Sequence, residues 1–146
     1  EGVTIERHPV AKDATDLELA IDAAVARGFD LATIIGGTGG RMAHTLANAM
    51  VLLKERAISL DWRTSRATIA AIRTGEARSF LTTNGALLSV LAIGGPAECN
   101  STGLRWPLSH SPLIAGSTRG ISNEITEDTA TVAVSSGQVL TIHERT

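Results

Sequence analysis

Ile34-Ile35-Gly36-Gly37-Thr38-Gly39-Gly40-Arg41-Met42-Ala43-His44-Thr45-Leu46-Ala47-Asn48 is the stretch on which the fold turns. It follows Leu31, Ala32 and Thr33, so a short apolar run reads as a buried strand that ends in four glycines within five residues. A helical pattern begins near His44 and runs over roughly residues 45–56, with Leu46, Met50 and Leu53 at helical spacing as its buried face. Glycines at the carboxyl end of a strand permit positive φ and let another molecule approach the backbone. The helix that follows turns its N-terminal N–H groups and positive dipole end toward the same crevice. Arg41 adds a planar cation suited to phosphate or carboxylate. The spacing matches neither the P-loop nor the Gly-x-Gly-x-x-Gly pattern. Two readings stand: an anion-binding loop of another kind, or a tight strand-to-helix turn.

Working back toward the N-terminus, residues 3–8 alternate in the β manner up to Pro9. Thr15 and, three residues on, Glu18 form the sequence of a capping box, which starts a helix. Leu17, Ile21, Ala24 and Val25 share one helical face and Gly28 closes the helix. The order strand, helix, strand, glycine loop, helix predicts a parallel sheet with helices packed on it. Asp13 and Asp16 stand at the mouth of the first helix. They either complement its dipole or serve as hard oxygen ligands for Mg²⁺, which one or two carboxylates hold together with substrate phosphates.

Working forward, the hydrophobic period changes from 3.6 to 2 near residue 57. Residues 58–61, 67–72, 78–82, 87–93, 129–134 and 139–143 read as strands, separated by turn signals at 73–75, 83–85, 94–96 and 135–137. Short strands at that spacing predict a β-sandwich or small barrel. The fold class is therefore α/β plus all-β. Residues 1–56 read as the C-terminal part of an α/β lobe and residues 57–146 as a β lobe. Aromatic residues are scarce: Phe29, Trp62, Phe80 and Trp106 are the full set. Trp106, beside Pro107, ends a strand or begins a loop. It is a core plug or a flat platform for a ring or a cation. Ser122-Asn123-Glu124 offers either hydrogen-bonding groups for a heteroaromatic ring or ordinary turn chemistry.

Composition narrows the possibilities. A 43% hydrophobic, 19% charged chain of 146 residues has the apolar material for a packed core. A net charge of -2 gives no support to a nucleic-acid surface. One cysteine, Cys99, excludes an internal disulfide and a cysteine zinc cluster. No apolar run reaches the ~20 residues of a membrane span. A cytoplasmic protein without nucleic-acid or membrane partners is the expectation.

Four motifs in order, Lys-Asp-Ala-Thr-Asp-Leu-Glu at 12–18, Gly-Gly-Thr-Gly-Gly-Arg-x-x-His-Thr-Leu-Ala-Asn at 36–48, Thr-Gly-Leu-Arg-Trp-Pro-Leu at 102–108 and Gly-Ile-Ser-Asn-Glu at 120–124, resemble the thiamine pyrophosphokinase family. The resemblance implies a catalytic lobe for ATP and Mg²⁺ over residues 1–56 and a thiamine-binding β-sandwich over residues 57–146. It implies transfer of a pyrophosphoryl group from ATP to thiamine, giving thiamine diphosphate and AMP. It also implies a homodimer whose thiamine pocket draws on both subunits. Carried over by position, Asp16 is implied as a metal and diphosphate residue with Asp13 beside it, and Arg41 as a phosphate contact. Lys12, Thr15, Gly37, Gly39, Gly40, His44 and Asn48 complete the implied ATP and phosphate set. Trp106 is implied as the ring stacked on thiamine, with Ser122 and Asn123 as polar contacts. Two departures accompany the likeness. The sequence starts at Glu1 and reads as the later part of a longer protein, in which the family's upstream segment, with a Gly-Asp-x-Asp-Ser motif, is expected. Ala43 stands where the family usually carries Asp. The second departure makes a catalytically impaired thiamine-binding or sensory module the alternative function. A purely structural dimerisation domain is a third.

Overall fold

The computed structural model describes residues 5–81, 85–109 and 112–144. Its elements run α1 (Asp16–Ala26), β1 (Leu31–Ile35), α2 (Met42–Val51), β2 (Ser59–Arg63), β3 (Ala67–Arg73), β4 (Ala77–Leu81), β5 (Leu87–Ala92), β6 (Glu98–Thr102), β7 (Asn123–Glu124), β8 (Thr129–Ser136) and β9 (Gln138–Glu144). Two sheets form, a six-stranded one in the order β1-β2-β3-β9-β5-β7 and a three-stranded one in the order β4-β8-β6.

The α/β plus all-β reading holds, with one sheet serving both halves. One face of the six-stranded sheet packs on the three-stranded sheet through Ile72, Leu88, Val90 and Val139 on one side and Phe80, Cys99, Val132 and Val134 on the other. The opposite face carries a second cluster, in which Leu60, Trp62 and Leu140 meet Ile21 of α1 and Leu52 after α2. Strand alternation produces this arrangement, because successive side chains enter opposite layers. Cys99 is buried, and that burial pushes its thiol up, away from the reactive thiolate form.

Helix α1 forms where its signals place it. Thr15 Oγ1 accepts from the Glu18 N–H at 3.3 Å. At the other end Gly28 N donates to Val25 O and Phe29 N to Ala24 O, the paired bonds of a Schellman stop, with Gly28 at φ +79°. The capping box is only half made. Glu18 does not reach back to its own helix start; its Oε1 accepts from Lys54 Nζ at 2.8 Å and from Arg56 Nη2 at 3.4 Å. Two cations after α2, one of them the buried Arg56, outcompete one backbone N–H for that carboxylate.

Several sequence expectations need correction. Residues 5–8 form no strand, and the start of the strand expected at 3–8 lies outside the described residues. Among the described strands the parallel pairing is β1 with β2, Leu31↔Ser59 to Ile35↔Arg63, and the remaining pairs are antiparallel. β1 is not buried on both faces: Ala32 and Ile34 pack inward, while Leu31 and Ile35 are 61% and 83% exposed. Helix α2 starts at Met42 and ends at Val51, and Leu46 and Met50 lie on its exposed side. Leu53, just beyond the helix, packs against the core as expected, while Ala49 and Val51 take the core-facing places that Leu46 and Met50 do not. The strands at 59–63, 67–73, 77–81, 87–92, 129–136 and 138–144 fall within two residues of expectation, Thr82 lying outside the described residues, as do Thr83 and Asn84 of the turn at 83–85. β6 lies outside the strands read from the sequence, and β7 is a two-residue strand at Asn123–Glu124.

Candidate active site

At the carboxyl end of β1 the glycine loop is held from two directions. Trp62 Nε1 donates to Gly36 O at 2.6 Å, and Asn48 Nδ2 donates to Gly37 O at 3.1 Å. Gly36, Gly37 and Gly39 have φ of +83°, +73° and +89°, a region L side chains rarely enter. A Cβ on Gly37 would also lie 3.0 Å from Asn48 Nδ2 and 3.4 Å from Trp62 Nε1, so this glycine is fixed by space as well as by backbone conformation. Sequence reasoning assigned no role to Trp62, since its partner lies 26 residues away and no local pattern marks it.

Beside the loop lies a cleft of about 480 Å³ whose lining includes Lys12, Thr15, Asp16, Arg41, His44 and Asn48. Thr15 caps α1 and Asp16 is its first residue; Arg41 caps α2, with no side-chain bond to that helix's N–H groups. The N-termini of both helices thus open on the same space, and both favour negative charge. Lys12 Nζ pairs with Asp16 Oδ1, and the Arg41 guanidinium contacts the His44 ring. The hydrogen bond and charge of Lys12 hold the Asp16 carboxyl below the usual carboxylate range. Asp13 is exposed in the bend before α1 and does not line the cleft; Gly39 and Gly40 are exposed on the loop. Ala43 is exposed in the first turn of α2, where no acidic residue stands.

No group of three or more His, Cys, Asp or Glu side chains able to hold a metal occurs among the described residues. Asp16 is the carboxylate in the lining of this cleft. That donor set fits an ion that takes most of its oxygens from a bound phosphate and water, as Mg²⁺ does. It does not fit a cage built from protein alone.

The second cluster lies at the far edge of the same sheet. Trp106 is 58% exposed, so it is no core plug, and the Arg105 guanidinium lies 5.9 Å from its ring centroid. Arg105 is in turn paired with Glu124 at 3.1 Å. The structure brings Trp106, Ser122 and Asn123 together: Asn123 is buried, accepting from Trp106 N at 3.1 Å and donating to Trp106 O at 2.6 Å. Ser122, at φ +53°, is the one non-glycine residue with positive φ among the described residues, and its N–H donates to Ser89 Oγ at 3.0 Å.

Comparison with known proteins identifies the family. Residues 1–61 match the family described as Thiamin pyrophosphokinase, catalytic domain, and residues 74–139 match Thiamin pyrophosphokinase, vitamin B1 binding domain. The chain belongs to the thiamine pyrophosphokinase family. Among its relatives, the thiamine pyrophosphokinase of Bacillus subtilis (strain 168) is 31% identical over 134 residues, which are 90% of this chain and 63% of the relative. A crystal structure of thiamine pyrophosphokinase from Bacillus subtilis superposes with a TM-score of 0.84 at 30% identity, covering 93% of this chain and 65% of that one. The thiamin pyrophosphokinase of Geobacillus thermodenitrificans gives 0.79 at 27% identity, covering 94% and 65%. The chain thus spans less than two thirds of the length of these relatives. Nothing in the comparisons favours the impaired alternative. No helix among the described residues is long and apolar enough to cross a membrane.

Proposed function

We propose that the full-length protein is a thiamine diphosphokinase. The hydroxyl oxygen of thiamine attacks the β-phosphorus of ATP, the bond from that phosphorus to the α,β-bridging oxygen breaks, AMP leaves, and the hydroxyl proton is released. The observation that carries this reading is the cleft in which Lys12, Asp16 and Arg41 meet at two helix N-termini beside a glycine loop. Phosphoryl chemistry of this kind depends on positioning and charge neutralisation more than on covalent help from the protein. In the proposal Lys12 and Arg41 neutralise phosphate oxygens, while Thr15, His44 and Asn48 orient them. Gly37, Gly39 and Gly40 leave the loop backbone open to close approach. Asp16 would hold Mg²⁺ together with phosphate oxygens, the ion drawing charge from the group in transfer, while Asp13, outside the cleft lining, is left as the weaker of the two carboxylate candidates. Trp106 supplies the ring platform and Ser122 a polar contact to thiamine.

The sheet order bears on the assembly. The cleft lies at β1 and the platform at β7, the two ends of the six-stranded sheet. Five strand spacings of ~4.8 Å put them on the order of 24 Å apart, more than one small substrate spans. The proposal is therefore a homodimer in which one copy's cleft serves its partner's platform. It retains the division into a catalytic part, residues 1–56, and a thiamine-binding part, residues 57–146, although β1 and β2 pair across that boundary. A cytoplasmic protein with no nucleic-acid partner belongs to the same proposal. The test is product analysis of the full-length protein given thiamine, ATP and Mg²⁺. Thiamine diphosphate and AMP should appear in equal amounts; ADP with thiamine monophosphate, or no turnover, would overturn the assignment.

A further inference from the structure

The resemblance made Asn123 a contact to thiamine, but its side chain is committed elsewhere. It is 2% exposed, and both ends of its carboxamide are bound to one peptide segment. The Trp106 N–H can only donate and the Trp106 carbonyl can only accept, so the partners fix which end of Asn123 is oxygen and which is nitrogen. The result is a two-point clamp on the main chain of a tryptophan whose own ring is 58% exposed. A buried amide that immobilises the backbone beneath an exposed indole removes rotational freedom that a bound ring would otherwise have to restrict.

The loop bearing Asn123 is itself pinned to β5. Val90 N donates to Gly120 O at 2.8 Å, and a Cβ on Gly120 would fall 2.1 Å from Val90 O. Ser122 sits at positive φ, a conformation that costs of order 1 kcal/mol or more outside glycine, and Ser89 Oγ accepts its N–H. Ser89 is buried and has no assigned role in any motif.

We propose that Asn123 is a positioning residue: its carboxamide holds the Trp106 peptide so that the indole presents a fixed face to the ring of the substrate, and Ser89 holds the turn that delivers Asn123. This rests on the reading of Trp106 as the ring platform. Asn123 then contributes to thiamine affinity through Trp106 and makes no contact of its own.

A double-mutant cycle in the full-length protein tests this, with thiamine affinity measured by titration calorimetry. Trp106→Ala should weaken binding roughly tenfold. Asn123→Leu, which keeps the size but neither hydrogen bond, should weaken it severalfold in the native background and by less than about twofold when Trp106 is already Ala. Affinity for a non-hydrolysable ATP analogue should not move in any of the variants. Asn123→Asp, which keeps the acceptor and loses the donor, goes through the same cycle and keeps the question decidable where the Leu variant fails to fold. Losses that multiply across the cycle would overturn the proposal, since they would mean that Asn123 touches thiamine directly. Unchanged affinity in a folded Asn123 variant, alongside a weakened Trp106→Ala, would also overturn it while leaving the platform intact. Unchanged affinity in Trp106→Ala would remove the platform itself, and the positioning role with it.

Discussion

The sandwich and the helical half of the molecule are finished to different degrees. Between the two sheets, Leu88, Val90, Ile125, Val132 and Val139 are at most 1% exposed, and β8 alternates cleanly through Ala130, Val132 and Val134. Around the helices, Ile21, Leu52 and Trp62 are buried, yet Leu31 and Ile35 lie open on the other face of β1, and Met42, Leu46 and Met50 on the outer side of α2. Those five side chains sit at strand spacing (31, 35) and helix spacing (42, 46, 50), so they form regular apolar faces. Periodicity reports that such a face exists; a neighbouring element has to be present for it to be buried. The sandwich is where this chain stores stability, and the open lobe is where it keeps the groups suited to chemistry.

The largest expected effect breaks that comparison on the sandwich side. Leu88→Ala, at a fully buried site between the sheets, should cost about 2–5 kcal/mol in a urea melt. A loss below 1 kcal/mol would mean that the two sheets do not share a tight core.

An intermediate effect is expected at the cations that tie α1 to the chain after α2. The Arg56 side chain is 5% exposed and donates to Asp22 Oδ1 at 2.7 Å and Val51 O at 3.0 Å. Arg56→Met should cost about 1 kcal/mol at pH 7, a figure held down because Asp22 is half exposed. The hydrogen bond from Arg56 lowers the Asp22 pKa in the folded state. A depressed carboxyl pKa contributes stability that is complete above the unfolded value near 3.9 and fades as pH falls through the folded one. The gap between native and Arg56→Met stability should therefore narrow below about pH 4. A gap that is constant from pH 7 to 3 would assign the loss to packing alone.

The smallest effect sharpens the other side. Leu46→Ser, in the chain of 146 residues, should shift stability by no more than about 0.5 kcal/mol, the scale of surface substitutions. A larger loss would show that another surface covers this face in solution.

How much of this was legible in the sequence follows from the range of the interactions. Helix α1 declared itself at both ends because Thr15 and Gly28 act within three residues of their partners. Of the long strands, β8 was legible because it alternates, and β3 and β9 because they are apolar-rich runs bounded by turn signals. β6 was not, since Glu98-Cys99-Asn100-Ser101-Thr102 offers a single buried apolar side chain on an edge strand with a bulge. That Asp16 and the arginine after the glycine loop, Arg41, face one crevice was readable from the topology of helix mouths at a strand end. Lys12 came only through the resemblance, and Asp13, read into the same crevice, lies outside its lining. The anchoring of the loop by Trp62, and of Trp106 by Asn123, was not legible. Each depends on a side chain meeting a backbone group 17 or more residues away, at a position that strand alternation alone does not distinguish from ordinary core.

The central claim is that one face of this sheet carries out transfer while its far edge holds the ring. Comparing Asp16→Asn with Trp106→Ala in the full-length protein, by steady-state product formation and thiamine calorimetry together, tests it most directly. Asp16→Asn should lose at least about 100-fold in turnover, an electrostatic effect of the usual size in transfer sites, with thiamine affinity unchanged. Trp106→Ala should show weakened thiamine affinity and a raised KM. Turnover that survives Asp16→Asn, or thiamine binding that falls with Asp16 and not with Trp106, would contradict the assignment of chemistry and recognition to these two ends.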